Sequence, residues 1–273
     1  MKNNNNHHGL RWRQRLGLCI WLLAAGAGAA HAQTAGLRFW PMQLNYAEAD
    51  SKGGVALNVM NNTSQVFLLK GSVSAMDPDT GRFGREDAPT PPFVVIPPLA
   101  RLEANGRYAF RVRQAGGTLP QDRESACIVS VTAIPGVSET TRPPLRPGAT
   151  SHPDVATTPS SSPGQGAELQ IALRMNMRLF YRPAGVPERD NDKVASQLVF
   201  RAEGKALKVD NPTPYFVHLA SASVAGKKIK DETLQGYIAP KSARTFDTGL
   251  PVQGTVEWMF SGDKEARHAV ISR

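Results

Sequence analysis

The chain has 273 residues and a formal net charge of +9. This length is enough for two ordinary domains, each with its own hydrophobic core. The lysines and arginines are scattered along the chain, and no basic run or patch of interleaved aromatic and basic residues predicts binding to nucleic acid.

The first 32 residues have the organisation of a secretory signal peptide. Lys2 and three arginines precede an uncharged stretch at 16–30, and Ala30-His31-Ala32 fits the small-x-small cleavage pattern. The alternative is an uncleaved membrane anchor, but the apolar run of about 15 residues is shorter than the roughly 20 that a span requires. We therefore expect export, cleavage before Gln33 and no membrane insertion afterwards.

Short strand patterns recur along the next hundred residues, and helix signals are almost absent. Turn-forming Pro, Gly, Asp and Asn residues separate these patterns at about the 8–12-residue spacing that is typical of antiparallel β-sandwiches. The first set of strands is predicted at 55–60, 66–73, 93–96, 108–112 and 127–133.

Cys127 is the only cysteine left once the leader, which contains Cys19, is removed. The mature chain therefore has no intramolecular disulfide, although an exported compartment would permit one. Cys127 lies in a buried-strand pattern, and this context predicts a small hydrophobic core residue rather than a nucleophile.

A Pro/Ser/Thr/Gly-rich insertion at 136–166, which we expect to be mobile, precedes a long strand predicted at 169–180. Apolar and mostly polar or basic residues alternate along this strand, which exceeds the usual length of about five or six residues. Such a strand either covers the protein's own core or is lent to the sheet of another protein. The apolar stripe consists of Leu169, Ile171, Leu173, Met175 and Met177.

The composition changes at 181–187, where two prolines and a glycine indicate a hinge. The expected domains are therefore 33–181, which includes the insertion and the long strand, and 182–273. The second domain has its own predicted strands, at 197–201, 206–210, 215–222, 243–246 and 254–260.

Several motifs together resemble the periplasmic chaperones of the chaperone–usher pilus pathway, over roughly residues 37–265. Each motif is modest, but their order and spacing are specific. They are Pro97-Pro98 followed by Arg-Leu-Glu at 101–103, Leu-Pro-Gln-Asp-Arg-Glu-Ser at 119–125 running into Ala-Ile-Pro at 133–135, Leu-Gln-Ile-Ala-Leu at 169–173, Arg-Leu-Phe-Tyr-Arg-Pro at 178–183, Asn-Pro-Thr-Pro-Tyr at 211–215 and Ala-Pro-Lys-Ser at 239–242.

This resemblance implies an all-β protein with two immunoglobulin-like β-sandwich domains in an L, separated by an interdomain cleft. It implies a periplasmic chaperone that needs no cofactor, binds pilus subunits by donating its long strand, and delivers them to an outer-membrane usher. The donor residues would be Leu169, Ile171, Leu173 and Met175, with Met177 as an extension. The sequence leaves open whether the free chaperone self-associates to cap this strand.

The resemblance also implies two basic residues that anchor the C-terminal carboxylate of the subunit. Arg178 occupies one of these positions, where the family generally has lysine. The other position, normally an arginine in the first strand, falls on Gln43, which can hydrogen-bond a carboxylate but does not neutralise it. Either Arg38 or Lys70 supplies the missing charge, or the assumed register is wrong, or the anchor is weaker in this chain.

Glu124 and Arg182 match a family pair that fixes the angle between the domains, although surface pairs of this kind often contribute little.

Beyond the leader, only three histidines remain, and no metal-ligand spacing, phosphate loop or nucleophile elbow predicts an enzyme. The alternative to a chaperone is a secreted structural or adhesive sandwich protein that is incorporated into a surface fibre. A fibre subunit, however, usually carries its spare strand at the mature N-terminus and contains a disulfide.

Overall fold

The computed structural model describes residues 36–136, 171–249 and 251–272. The predicted signal peptide at 1–32, all but the first residue of the predicted insertion at 136–166, and Leu169 lie outside these ranges. Within the described residues, no helix is both long and apolar enough to cross a membrane.

The described part of the first sandwich contains ten strands and a short 3-10 helix at Glu48–Lys52. The strands are β1 (Leu37–Trp40), β2 (Gln43–Ala47), β3 (Val55–Asn61), β4 (Phe67–Asp77), β5 (Arg82–Phe83), β6 (Phe93–Ile96), β7 (Leu99–Leu102), β8 (Arg107–Gln114), β9 (Ser125–Pro135) and β10 (Leu173–Arg182). One sheet has the order β1-β3-β8-β6. The other has the order β2-β10-β9-β4-β5, with β7 also paired to β4.

Alternate residues of the two sheets face each other and form one buried cluster, as expected for strands with a side-chain period of two. Leu57 and Phe110 from one sheet, and Leu69 and Val129 from the other, have no exposed surface. Cys127 lies in the same cluster as a free thiol, and burial raises its pKa to about 12. The prediction that Cys127 is a small core residue is confirmed.

The second sandwich has its own hydrophobic core. The buried residues that form it come from the sequence range 186–271. Its elements are α1 (Asn191–Gln197), β11 (Val199–Glu203), β12 (Ala206–Asn211), β13 (Ser221–Val224), β14 (Lys227–Lys228), β15 (Ser242–Asp247), β16 (Thr255–Met259) and β17 (Arg267–Val270). Its sheets have the orders β11-β12-β15 and β14-β13-β16-β17.

The all-β two-sandwich architecture predicted from the sequence is confirmed, but two local predictions are wrong. Gln197, predicted to start a strand, ends α1, whose cap Asp190 accepts hydrogen bonds from the amides of Asp192 and Lys193. These bonds also lower the pKa of Asp190. The segment at 215–222 is mostly irregular, with an isolated bridge at Val217 before β13 begins.

A buried asparagine braces the corresponding turn in each sandwich. The amide nitrogen of Asn211 donates to the carbonyl oxygens of Tyr215 and Ala239, at 2.8 and 3.0 Å, and its Oδ1 accepts from Thr213. Asn61 makes the equivalent bonds around Thr63 in the first sandwich. These bonds give a structural reason for the Asn-Pro-Thr-Pro motif, because a buried polar side chain is costly unless it is hydrogen-bonded.

Candidate strand-donor edge and interdomain cleft

The two edges of β10 have different neighbours along its length. One edge pairs with β9 in antiparallel register from Leu173 to Tyr181. The other edge pairs with β2 in parallel register, but only from Arg178 to Arg182. Within the described residues, the edge from Leu173 to Met177 therefore has no strand beside it, and its outward-pointing backbone groups are available for pairing.

The apolar stripe is exposed only at the N-terminal end of this unpaired half. Ile171, just before the strand, is 70% exposed and Leu173 is 44% exposed, whereas Met175 is partly buried against the core. Exposed aliphatic side chains beside an open strand edge are the features that β-strand addition requires.

Met177 differs from the sequence prediction. Its side chain has no exposed surface and lies inside the core of the first sandwich, together with Leu179. The proposed extension of the donor stripe to Met177 is therefore wrong for this conformation. The exposed part of the stripe ends at Met175, because the opposite sheet covers the strand beyond that point.

Among the described strands, none pairs with β10 on the β2 side of Leu173–Met177, because β2 begins only at Gln43. The chain crosses from β1, in one sheet, to β2, in the other, through Pro41 and Met42. Proline has no amide hydrogen to contribute to a ladder. Among the described strands, β2 therefore covers this edge of β10 only from Arg178 onward, and the edge before Arg178 is unpaired.

Arg178 and Gln43, the two predicted anchor residues, are direct cross-strand partners. Arg38 lies on β1 in the other sheet, opposite Met60. Lys70 lies on β4, which is separated from β10 by β9. Neither Arg38 nor Lys70 lines the cleft that contains Arg178 and Gln43, so neither supplies the missing charge in this structure.

A cleft of about 750 Å³ lies between the two sandwiches, on the face of β10 opposite the first core. Its walls include three arginines and three carboxylates, so the charge inside it is mixed rather than uniformly basic. The charged and aromatic lining residues are Tyr46, Asp50, Glu124, Arg178, Phe180, Arg182, Glu188, Arg189, Phe216, His218, Tyr237 and Phe260.

Arg178 is held at one side of this cleft. Its Nε donates a hydrogen bond of 3.0 Å to the carbonyl oxygen of Gly81, in the turn between β4 and β5. Its Cζ lies 5.6 Å from the centroid of the Tyr237 ring, within the range of a cation–π contact. Burial raises the pKa of Tyr237, and the nearby Arg178 opposes this rise.

Glu124 joins the sandwiches through the backbone of the second one. Its backbone amide donates to the carbonyl oxygen of Pro214 at 2.8 Å, and its Oε2 accepts from the amide of Phe216 at 2.9 Å. The charge of Arg182 also acts on Glu124, opposing the rise in the pKa of Glu124 that burial causes. That this pair sets the angle between the domains stays a prediction.

Arg189 was not identified from the sequence. Its charge has a larger effect on the pKa of Glu124 than the charge of Arg182 has. Its Nη1 donates to the carbonyl oxygen of Phe216 at 2.6 Å, so Glu124 and Arg189 hold the two backbone groups of one residue. Burial raises the pKa of Glu124 and lowers that of Arg189, and their mutual attraction opposes both shifts. No sequence signal distinguished Arg189 from the other scattered arginines.

Among the described residues, no group of His, Cys, Asp and Glu side chains could hold a metal ion. His218 is half-buried and lines the cleft. Its Nδ1 lies 2.7 Å from the carbonyl oxygen of Gly236, and its ring packs against Tyr237.

Comparison with known proteins gives consistent results for both sandwiches. Residues 41–146 match the family described as "Pili and flagellar-assembly chaperone, PapD N-terminal domain", and residues 193–263 match "Pili assembly chaperone PapD, C-terminal domain". The chain is 29% identical to the chaperone protein AfaB of Escherichia coli, over 82% of this chain and 81% of that protein. It is 30% identical to the chaperone protein PsaB of Yersinia pestis, over 78% and 73%.

A solved structure has a similar fold. It is the Salmonella enterica SafA pilin in complex with the SafB chaperone, and the match has a TM-score of 0.62 and 28% sequence identity. It covers 86% of this chain and 96% of the matched chain.

Proposed function

Because the chain belongs to the family of pili assembly chaperones, we propose that it lends the exposed half of β10 to a pilus subunit that lacks a strand. The observation that carries this proposal is the combination of an open strand edge at Leu173–Met177 with the exposed apolar side chains of Ile171 and Leu173 at its N-terminal end. Donated backbone groups pair with the subunit, and the apolar side chains fill its open groove. This process consists of binding alone, so the proposal includes no cofactor.

The direction of the donated pairing follows from the position of Arg178. A subunit strand that pairs with the unpaired edge of β10 is collinear with β2, and its end adjoins Gln43, opposite Arg178. A cation at that point favours a terminal carboxylate over a terminal ammonium group. The subunit strand therefore runs parallel to β10, with its C-terminus at Arg178 and Gln43. The solved complex of SafA pilin with the SafB chaperone supports a pilus subunit as the partner.

The leader-like N-terminus supports the periplasm as the site of action, and we propose delivery of the subunit to an outer-membrane usher as the next step. A subunit with an open groove exposes apolar surface and unpaired edges that promote aggregation. An all-β partner also folds slowly through contacts that are distant in sequence. Capping the groove during that interval is the useful consequence of strand donation. Membership of the chaperone family favours this function over the structural-fibre alternative.

The test is a double substitution in the donor stripe, Ile171→Asp with Leu173→Asp. Each carboxylate would be buried without a partner in the groove of the subunit, at a cost of several kcal/mol. We expect subunit recovery from periplasm to be lost while the melting transition of the chaperone is unchanged. Val199→Asp with Val270→Asp, at two exposed aliphatic positions of the second sandwich, is the matched control. Normal subunit recovery with the stripe variant would contradict strand donation.

A further inference from the structure

The guanidinium of Arg178 is held between two segments that are far apart in the sequence. The carbonyl oxygen of Gly81, in the β4–β5 turn of the first sandwich, accepts from its Nε at 3.0 Å. The ring of Tyr237, in the second sandwich, lies beneath its Cζ. Each segment alone would leave the long side chain free to swing, and together they restrict it to one side of the cleft.

The β4–β5 turn is itself fixed by the second sandwich. The amide of Tyr237 donates to the carbonyl oxygen of Pro78 at 2.6 Å. Gly236 has a φ of +86°, and a Cβ atom there would lie 2.0 Å from the carbonyl oxygen of Asp79. Only glycine permits this backbone approach, so the position of the turn, and of its Gly81 carbonyl, depends on the contact with the second sandwich.

We propose that Tyr237 and Gly81 are positioning residues for Arg178, and that the second sandwich thereby sets the strength of the carboxylate grip. This proposal rests on the proposed function of Arg178 as the anchor. Because Nε is bound to Gly81, a carboxylate would meet the two terminal nitrogens, whose parallel donors match its two oxygens. The Tyr237 hydroxyl also interacts with this guanidinium. The restriction also lowers the ordering cost of binding.

The positioning of Arg178 by Tyr237 and Gly81 matters more in this chain because the residue opposite Arg178, Gln43, is neutral. Gln43 offers a hydrogen bond and no positive charge, and its Nε2 already donates to Asn45 at 3.1 Å. A single cation that is correctly oriented must therefore provide most of the recognition of a carboxylate. A lysine at position 178 would keep the charge but could not bind Gly81 through one nitrogen and offer two others.

The experiment uses two forms of one probe, a synthetic peptide of the C-terminal strand of the co-purified subunit. One form has a free C-terminal carboxylate and the other is amidated. Tyr237→Leu should weaken binding of the free-carboxylate form by roughly three- to tenfold and leave the amidated form unchanged. Tyr237→Phe, the matched control, retains the ring and removes only the hydroxyl, which also interacts with Arg178. Because the ring provides the positioning, this variant should keep most of the binding of both forms. An equal loss for both forms, or no loss for either, would overturn the proposal.

Two further variants keep the result interpretable if Tyr237→Leu disturbs the domain contact. Gly81→Ala would place a methyl group 3.3 Å from the Arg178 Nε at a φ of +63°, and it should reduce binding of the free-carboxylate form selectively. In an Arg178→Ala background, Tyr237→Leu should have no further effect, because no cation remains at position 178 for the ring to orient. Full additivity of the two substitutions would overturn the positioning role.

Arg178→Ala separates this proposal from the one on which it rests. If Arg178→Ala affects both peptide forms equally, the anchor itself is refuted, and the positioning role with it. If Arg178→Ala is selective for the free carboxylate and Tyr237→Leu is not, only the positioning role is refuted. Coupling between sites is reciprocal, so the free-carboxylate peptide should also slow hydrogen exchange at the Tyr237 amide more than the amidated peptide does.

Discussion

The two halves of β10 have the same alternating pattern and different surroundings. From Arg178 to Arg182 the strand has a neighbour on each edge, and Leu179 is completely buried. From Leu173 to Met177 it has β9 on one edge alone among the described strands, and Leu173 is 44% exposed. One continuous stripe therefore completes the core of its own domain at one end and remains available to another protein at the other.

The difference teaches that a donor strand is specified by its neighbours as much as by its own residues. The alternation at 169–179 does not change where the function changes. What changes is the surroundings of the strand. β2 pairs with it only from Arg178 onward, and its apolar side chains are fully buried only from Met177 onward. The same substitution should therefore have opposite consequences in the two halves.

The first prediction concerns leucine truncation in each half. Leu179→Ala removes a fully buried side chain and should lower the free energy of unfolding by about 2–5 kcal/mol. Leu173→Ala removes an exposed side chain and should change it by only about 0.5 kcal/mol, while weakening subunit binding. Urea unfolding of both variants, together with subunit recovery, measures the contrast. Equal destabilisation by the two variants would remove the distinction between the halves.

The second prediction concerns the junction of the two halves. Arg178→Ala should leave the fold intact and weaken binding of a subunit with a free C-terminus by about 1.5–3 kcal/mol, the typical contribution of a hydrogen bond to a charged group. Gln43→Arg should leave binding unchanged or tighten it, because it adds a cation directly opposite Arg178. Calorimetry with free and amidated C-termini tests both variants. An equal effect of Arg178→Ala on the two forms would leave Arg178 as an ordinary solvated cation.

The third and smallest predicted effect concerns the contact that joins the sandwiches beyond the end of β10. Burial raises the pKa of Glu124, so the folded state binds a proton there more tightly than the unfolded chain does. The resulting stabilisation is present below the ordinary glutamate pKa and is lost as the pH rises through the raised value. Glu124→Gln retains an oxygen acceptor for Phe216 and has no such titration.

The measurement is the free energy of unfolding of the wild type and Glu124→Gln between about pH 4 and pH 7. The stability of the wild type relative to the variant should fall as the pH rises. A difference that stays constant or increases over this range would show that the raised pKa is not important for folding.

The strands of the first sandwich could be predicted because their buried residues repeat with a period of two. The predicted strand at 93–96 coincides with β6, and that at 127–133 lies within β9. The helix α1 was missed although its cap Asp190 is a recognisable signal. Its seven residues, of which only Val194 is buried, carry too little apolar periodicity to stand out.

The candidate site could be predicted only where it follows from the strand pattern or from resemblance to a known family. Arg178 and Gln43 were identified in this way, and the β2–β10 register places them side by side. Met177 was assigned incorrectly because alternation along one strand does not show where the opposite sheet ends. Arg189, Gly81 and Tyr237 were missed because their roles depend on contacts between segments far apart in the chain.

Hydrogen exchange on the backbone amides of Leu173–Met177, free and bound to a pilus subunit, tests strand donation most directly. In the free protein, amides in this segment that point away from β9 should exchange rapidly, and those that point toward β9 should be protected. With a bound subunit, the outward-pointing amides should become protected, whereas the amides of Arg178–Arg182 should change little. If the amides of Leu173–Met177 exchange equally fast with and without the subunit, β10 does not donate its edge.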